Sequence, residues 1–92
     1  MGVTLTGYLR CETAAQAERV RTALPEHIRL TRAEAGCVSF EVSASDDPLV
    51  WNVAEEFTDP AAFQTHQTRA AASEWARQTE GIPRDYTVDG LV

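Results

Sequence analysis

The chain has 92 residues, with 8 basic against 14 acidic side chains and a net charge of −6. A chain of this length holds one sheet and two helices, so a single domain over residues 1–92 is predicted, with a core small enough that dimerisation would help to complete it. The acidic balance and the lack of any basic run exclude a phosphate-tracking nucleic-acid surface. All basic residues are arginine, which excludes a Schiff-base lysine. No apolar stretch approaches the roughly 20 residues needed to span a bilayer, and the start has neither the charge nor the apolar run of a secretory signal, so a soluble cytoplasmic protein is expected.

In chain order, residues 3–11 alternate, with Val3, Leu5, Gly7 and Leu9 on one face and Thr4, Thr6, Tyr8 and Arg10 on the other, which predicts a half-buried strand. Thr13 reads as an N-cap, and Ala14, Ala17, Val20, Arg21 and Leu24 follow at helical spacing. Pro25 should break or kink that helix, because it lacks an N–H and its ring crowds the preceding turn. Residues 26–35 then read as a second helical piece, with Gly36 as a left-handed C-cap. Residues 37–43 alternate again, placing Val38, Phe40 and Val42 on the inner face. Turn residues 45–48 lead into a third strand, Val50–Phe57, with Trp51, Val53, Glu55 and Phe57 on one side. Asp59 followed by Pro60 is a strong helix start, and this helix should run to about residue 78. Gly81 and Pro83 end it, and residues 82–88 read as a last strand.

The order βαββαβ predicts an α+β fold of the ferredoxin-like kind, a four-stranded antiparallel sheet with both helices on one face. The right-handed crossover rule makes the first two strands parallel with another strand between them. Cys11 and Cys37 then fall at opposite ends of strands that are not neighbours, too far apart to bridge, and are predicted to be free thiols. The outer sheet face, with Thr4, Thr6, Tyr8, Ser39, Glu41, Asn52 and Glu56, either faces water or packs against a second copy.

Glu55 is the anomaly of the pattern, because alternation sets its carboxylate among Trp51, Val53 and Phe57 on the inner face. Burial raises a carboxyl pKa and costs stability unless a donor meets it. His66, which shares the inward stripe of the second helix with Ala62, Phe63 and Ala70, is the candidate partner, and the two either form a functional pair or merely satisfy each other. His27, beyond Pro25 on the side of Val20 and Leu24, closes one end of a cavity or packs part-exposed beside the helix. Trp51, Trp75, Tyr8, Phe57, Phe63 and Tyr86 supply aromatic area, which fills cores more often than it lines a ligand site but suits a flat substrate. No glycine-rich phosphate loop, G-x-S-x-G or C-x-x-C occurs, and nothing in the spacing of Cys37, His27 and His66 supports a zinc set.

At these residues the chain resembles the antibiotic biosynthesis monooxygenase family. Glu34, Gly36, Cys37, Phe40, Glu41 and Val42 match an E-P-G-C-x-x-[YF]-E-V segment, with Ala35 in place of proline. Glu55, Phe57, Asp59, Ala62, Phe63 and His66 match a Y-E-x-W-x-D-x-x-A-[LF]-x-x-H segment, with Ala54 for tyrosine, Phe57 for tryptophan and Arg69 where a serine commonly follows the histidine. The resemblance implies a dimeric α+β barrel, and oxygenation of a hydroquinone, anthrone or similar phenol by O₂ without flavin, metal or other cofactor. His66 would then act as acid/base or anion stabiliser, Glu55 would orient it, and Trp51, Phe57, Phe63, His27, Trp75 and Tyr8 would line the substrate site. Haem-degrading relatives carry an iron-ligating histidine about ten residues beyond, where this chain has Glu74, Trp75, Ala76 and Arg77, so haem ligation is not expected. The alternative is a dimer of the same fold that binds a small molecule without chemistry, suggested by Ala54 and Phe57.

Overall fold

A computed structural model describes residues 2–91. The elements are β1 (Val3–Arg10), α1 (Ala14–Arg32), β2 (Cys37–Ala44), β3 (Val50–Phe57), α2 (Pro60–Ala71), α3 (Glu74–Gln78) and β4 (Arg84–Asp89). The strands form one antiparallel sheet in the order β2-β3-β1-β4, so β1 and β2 are parallel with β3 between them, as the crossover rule requires. The helices cover one face, and Val3, Leu5, Leu9, Val53, Phe57 and Phe40 are buried beneath them with Val20, Leu24 and Phe63. This is the ferredoxin-like α+β fold. Both cysteines are free. Among the described residues no helix is long and apolar enough to cross a membrane.

Five local expectations are corrected by the packing. Pro25 does not divide α1: the buried stripe Ala17, Val20, Leu24, His27 and Thr31 keeps its three- and four-residue steps through the proline, which itself is exposed. The sheet holds that stripe in place, and this outweighs one lost hydrogen bond on the solvent side. The helix ends at Arg32 with Ala33 in a right-handed cap, so Gly36 is not a left-handed cap. Gly36 is needed for space instead, because a Cβ there would overlap the Ala62 side chain.

The second helix stops at Ala71, and Ser73 caps the separate short α3, its hydroxyl accepting from the Ala76 N–H while donating to the Ala70 carbonyl. Val38 is 55% exposed, because a β-bulge between Cys37 and Ser39 shifts the β2 register against β3 and turns Val38 out of the inner row. Phe40 and Val42, beyond the bulge, are buried as expected. The last strand begins at Arg84, with Ile82 buried in the preceding turn.

Register places the rows of the inner face. Phe40 of β2, Glu55 of β3 and Leu5 of β1 lie side by side, and in the next row Val53, Gly7 and Tyr86 do so. Glu55 is thus enclosed by apolar neighbours on both adjoining strands. Gly7 has φ +145°, and the Asp85 carbonyl oxygen occupies the position its Cβ would need, so only glycine lets β4 approach β1 this closely.

Candidate active site

α2 starts at a well-made cap, the Asp59 side chain accepting from the Ala62 N–H at 2.8 Å, with Pro60 at the first helical turn. That start fixes the helix so that Phe63 and His66 face the sheet, and both are buried. His66 rests against the Phe57 ring, centroids 4.8 Å apart, with its Nε2 3.7 Å from Glu55 Oε1. This is proximity rather than a hydrogen bond, and Glu55 Oε1 has no hydrogen-bond partner.

The imidazole's hydrogen bond goes elsewhere. Nδ1 lies 3.0 Å from Oε1 of Glu34, in the turn after α1. Arg69, one turn further along α2, donates its Nε–H to Glu34 Oε2 at 2.7 Å and an Nη2–H to the Thr31 hydroxyl at 2.9 Å. The expected bond between Glu55 and His66 is therefore replaced by a row: Glu34 holds one side of the imidazole, and Glu55 approaches the other. Residue spacing gives no sign of the Glu34 contact, which spans 32 residues of chain. Its one sequence signal is the position of Glu34 in the family-like segment before β2.

Burial also sets the charge state of the pair. Burial lowers the His66 pKa below the ordinary histidine value and outweighs the opposing pull of Glu34, while the Arg69 charge lowers it further. The Glu55 pKa is pushed up to about 7, mainly by burial and secondarily by the negative charge of Glu34. At neutral pH the imidazole is uncharged, and Glu55 stands near the midpoint of its titration. A neutral imidazole whose Nδ1–H is donated to Glu34 presents a lone pair at Nε2, so the site pairs a proton acceptor with a carboxyl group able to give or take a proton.

Both groups line an open cavity of about 360 Å³ between the sheet and the helices, whose wall also includes His27, Trp75, Tyr86 and Arg84. His27 is buried, stacked on Trp75 with centroids 4.5 Å apart, and its pKa is lowered to about 3 by burial, with smaller contributions from the charges of Arg69, His66 and Arg84. Tyr86 has its pKa pushed up to about 12 by burial against the lowering effect of Arg84, so its hydroxyl keeps its proton and can donate. Arg84 is tied to the carbonyls of Thr79 and Ile82, both at 2.8 Å, and to the Thr79 hydroxyl at 2.7 Å. Arg84 and Glu34 were not among the site residues expected from sequence, and Tyr86 was expected only as aromatic area.

Of the expected site residues, His66, Glu55, His27 and Trp75 meet at this cavity. Phe57 and Phe63 are buried in the core behind it, in edge contact with each other. Trp51 is buried further along β3 opposite Leu9, with the Arg21 guanidinium 5.9 Å above its ring. Tyr8 lies on the outer sheet face, 42% exposed beside Arg10. These four do not line the cavity. Among the described residues no three histidine, cysteine or carboxylate side chains are arranged to hold a metal ion.

The class of protein is thus a ferredoxin-like sheet roofed by helices, with Glu55 and His66 side by side in the wall of an open cavity between the layers. The antibiotic biosynthesis monooxygenase model matches residues 4–78, and the chain belongs to that family. Among solved structures it is similar to Rv0793 from Mycobacterium tuberculosis, at 21% identity and a TM-score of 0.83, covering 100% of this chain and 96% of that one. A candidate antibiotic biosynthesis monooxygenase from Nitrosomonas europaea has 21% identity and a TM-score of 0.81 over 98% and 97% of the two chains. PA3566 from Pseudomonas aeruginosa has 24% identity and a TM-score of 0.71 over 96% and 89%. At these identities the structural likeness carries the fold. No match was found among curated proteins.

Proposed function

We propose that the protein is a cofactor-independent monooxygenase that oxidises a hydroquinone, anthrone or similar electron-rich phenol with O₂. The observation that supports this most is the pairing of Glu55, with a pKa of about 7, and neutral His66 Nε2, 3.7 Å apart in the wall of one cavity. In this reading His66, oriented by Glu34, takes the proton from the substrate's hydroxyl or activated C–H, and Glu55 accepts or returns it. Such a base works best with a pKa near the operating pH. The resulting anion is electron-rich, and Arg84 and the Tyr86 hydroxyl supply a cation and a donor to stabilise it. It reduces O₂ and forms a carbon–oxygen bond. Loss of water from the peroxide leaves a carbonyl, so one oxygen atom enters the product, the other leaves in water, and the electrons come from the substrate. Oxygen uptake with a panel of hydroquinones and anthrones tests the reading, with uptake expected in the wild type and a fall of at least about 10²-fold in His66→Ala. No uptake across the panel, or unchanged rates in the variant, would remove it.

The non-catalytic reading rested on Ala54 and Phe57. Ala54 is exposed and Phe57 lies in the core, so neither alters the cavity wall, and the residues that do form it carry the acid/base pair. We further propose a homodimer through the outer sheet face, where Tyr8 is exposed and the small core leaves a whole sheet surface uncovered. A stable monomer in sedimentation at micromolar concentration would sink the dimer without touching the chemistry.

A further inference from the structure

His27 and Trp75 form the wall of two cavities, not one. Behind them, between α1 and α3, lies a second space of about 230 Å³, bounded mainly by apolar surface that includes Ala23 and Leu30. The carboxylates at its edge, Glu26 and Glu74, are already engaged by Arg29 and Arg77, so the space presents no unpaired charge for an ionic ligand to meet. The partition is two side chains thick, with planes 1° from parallel. It is also imperfectly satisfied, since His27 is 5% exposed and its Nδ1 has no hydrogen-bond partner. Trp75 is carried by α3, a five-residue helix with no buried residue of its own. Elements with so little burial open at the least cost.

We propose that the space between α1 and α3 is a second compartment of the substrate site, which takes a short uncharged apolar substituent of the phenol bound at Glu55 and His66, with Trp75 moving aside to admit it. The proposal rests on the phenol-oxygenase reading for what occupies the first cavity. The occupant is a part of that substrate rather than a separate molecule because the two spaces share both ring walls, so a chain leaving the first cavity past Trp75 enters the second directly. Trp75 and the size of the compartment then set which substituted substrates bind.

Isothermal titration under argon, with 1,4-dihydroxynaphthalene and its 2-pentyl derivative as probes, separates binding from turnover. Each methylene buried in an apolar compartment raises affinity about fourfold. The pentyl derivative is expected to bind the wild type at least about tenfold tighter than the parent, since only part of the chain needs to be enclosed. Ala23→Phe and Leu30→Trp, which fill the compartment from α1, should reduce that ratio towards one, each protein's parent affinity serving as its own reference. No gain in the wild type, or a gain that survives in both folded filling variants, overturns the proposal. Oxygen uptake by the same two compounds in air reports on the chemistry alone: a binding gain without uptake keeps the compartment and removes the oxygenase, and uptake without a binding gain does the reverse.

Discussion

Glu34, in the turn after α1, is hydrogen-bonded to His66 of α2 through Oε1 and Nδ1 at 3.0 Å, and Arg69 grips the other carboxylate oxygen at 2.7 Å. The carboxylate fixes which imidazole nitrogen faces the cavity, as the orienting carboxylate does in other histidine dyads. Glu34→Gln should therefore lower the His66 pKa still further, because the attraction that raises it is lost, and should cut oxygen uptake about 10- to 100-fold. It should also destabilise the fold by about 1–3 kcal/mol, since Arg69 is left part-buried without its counter-charge. NMR titration of the His66 ring reads the first effect and urea melting the last. An unchanged His66 titration would show that the two side chains do not interact.

Gly36 and Ala62 lock the chain ahead of β2 against the first turn of α2, which carries the site histidine one turn later. In Gly36→Ala the new methyl meets the Ala62 side chain, with Thr58 Oγ1 a further 3.2 Å contact, so a loss of about 1–3 kcal/mol is expected from overpacking. Ala62→Gly makes room but costs roughly 1 kcal/mol of helix propensity. The double variant should lose less than the sum of the two single losses. Additive losses in denaturant melts would place the strain elsewhere.

The strands, the crossover and the inward placement of Glu55 and His66 were legible because period-two and period-3.6 patterns report burial directly, and burial is what the sheet and helices share. The errors fall where a tertiary contact decides a local choice. Pro25 reads as a break from its own chemistry, but the stripe from Ala17 to Thr31 shows on either side that the helix continues. Nothing in the alternation of Val38, Phe40 and Val42 reveals the bulge that turns Val38 outward, since a single extra residue is defined only by the partner strand. Ser73 was readable as a cap and was hidden by the helix-forming residues around it. The pairing of Glu34 with His66 is not readable, because it joins side chains 32 residues apart, and without it the inward carboxylate on β3 is the only visible partner for the imidazole.

His27 is buried uncharged, its pKa lowered to about 3. A base whose folded pKa lies below its unfolded value of about 6.5 leaves stability intact above pH 6.5 and costs it as pH falls towards 3. The full loss is on the order of 5 kcal/mol. His27→Phe keeps a flat ring against Trp75 and removes both the titration and the unpartnered Nδ1. It should be neutral to stabilising at pH 7 and should lower the midpoint of acid unfolding, followed by circular dichroism. An unchanged acid midpoint would mean that His27 is not buried in this way.

Glu55 acts in the opposite direction. Its folded pKa of about 7 lies above the 4.5 of an unburied glutamate, so below pH 4.5 the carboxyl is protonated in both states and costs nothing. Between pH 4.5 and 7 the folded state keeps a proton that the unfolded state has released, and stability falls as pH rises, levelling off above 7. The accumulated loss is about 3 kcal/mol, at 1.36 kcal/mol for each pKa unit. Glu55→Gln cannot ionise, so it carries none of this pH-dependent loss. The stability of the variant relative to wild type should therefore rise by about 3 kcal/mol between pH 4 and pH 8, most of it between 4.5 and 7. Urea melts at four pH values across that range measure the difference directly. If it is constant, Glu55 does not hold a proton near neutrality, and the acid/base role assigned to it has no physical basis.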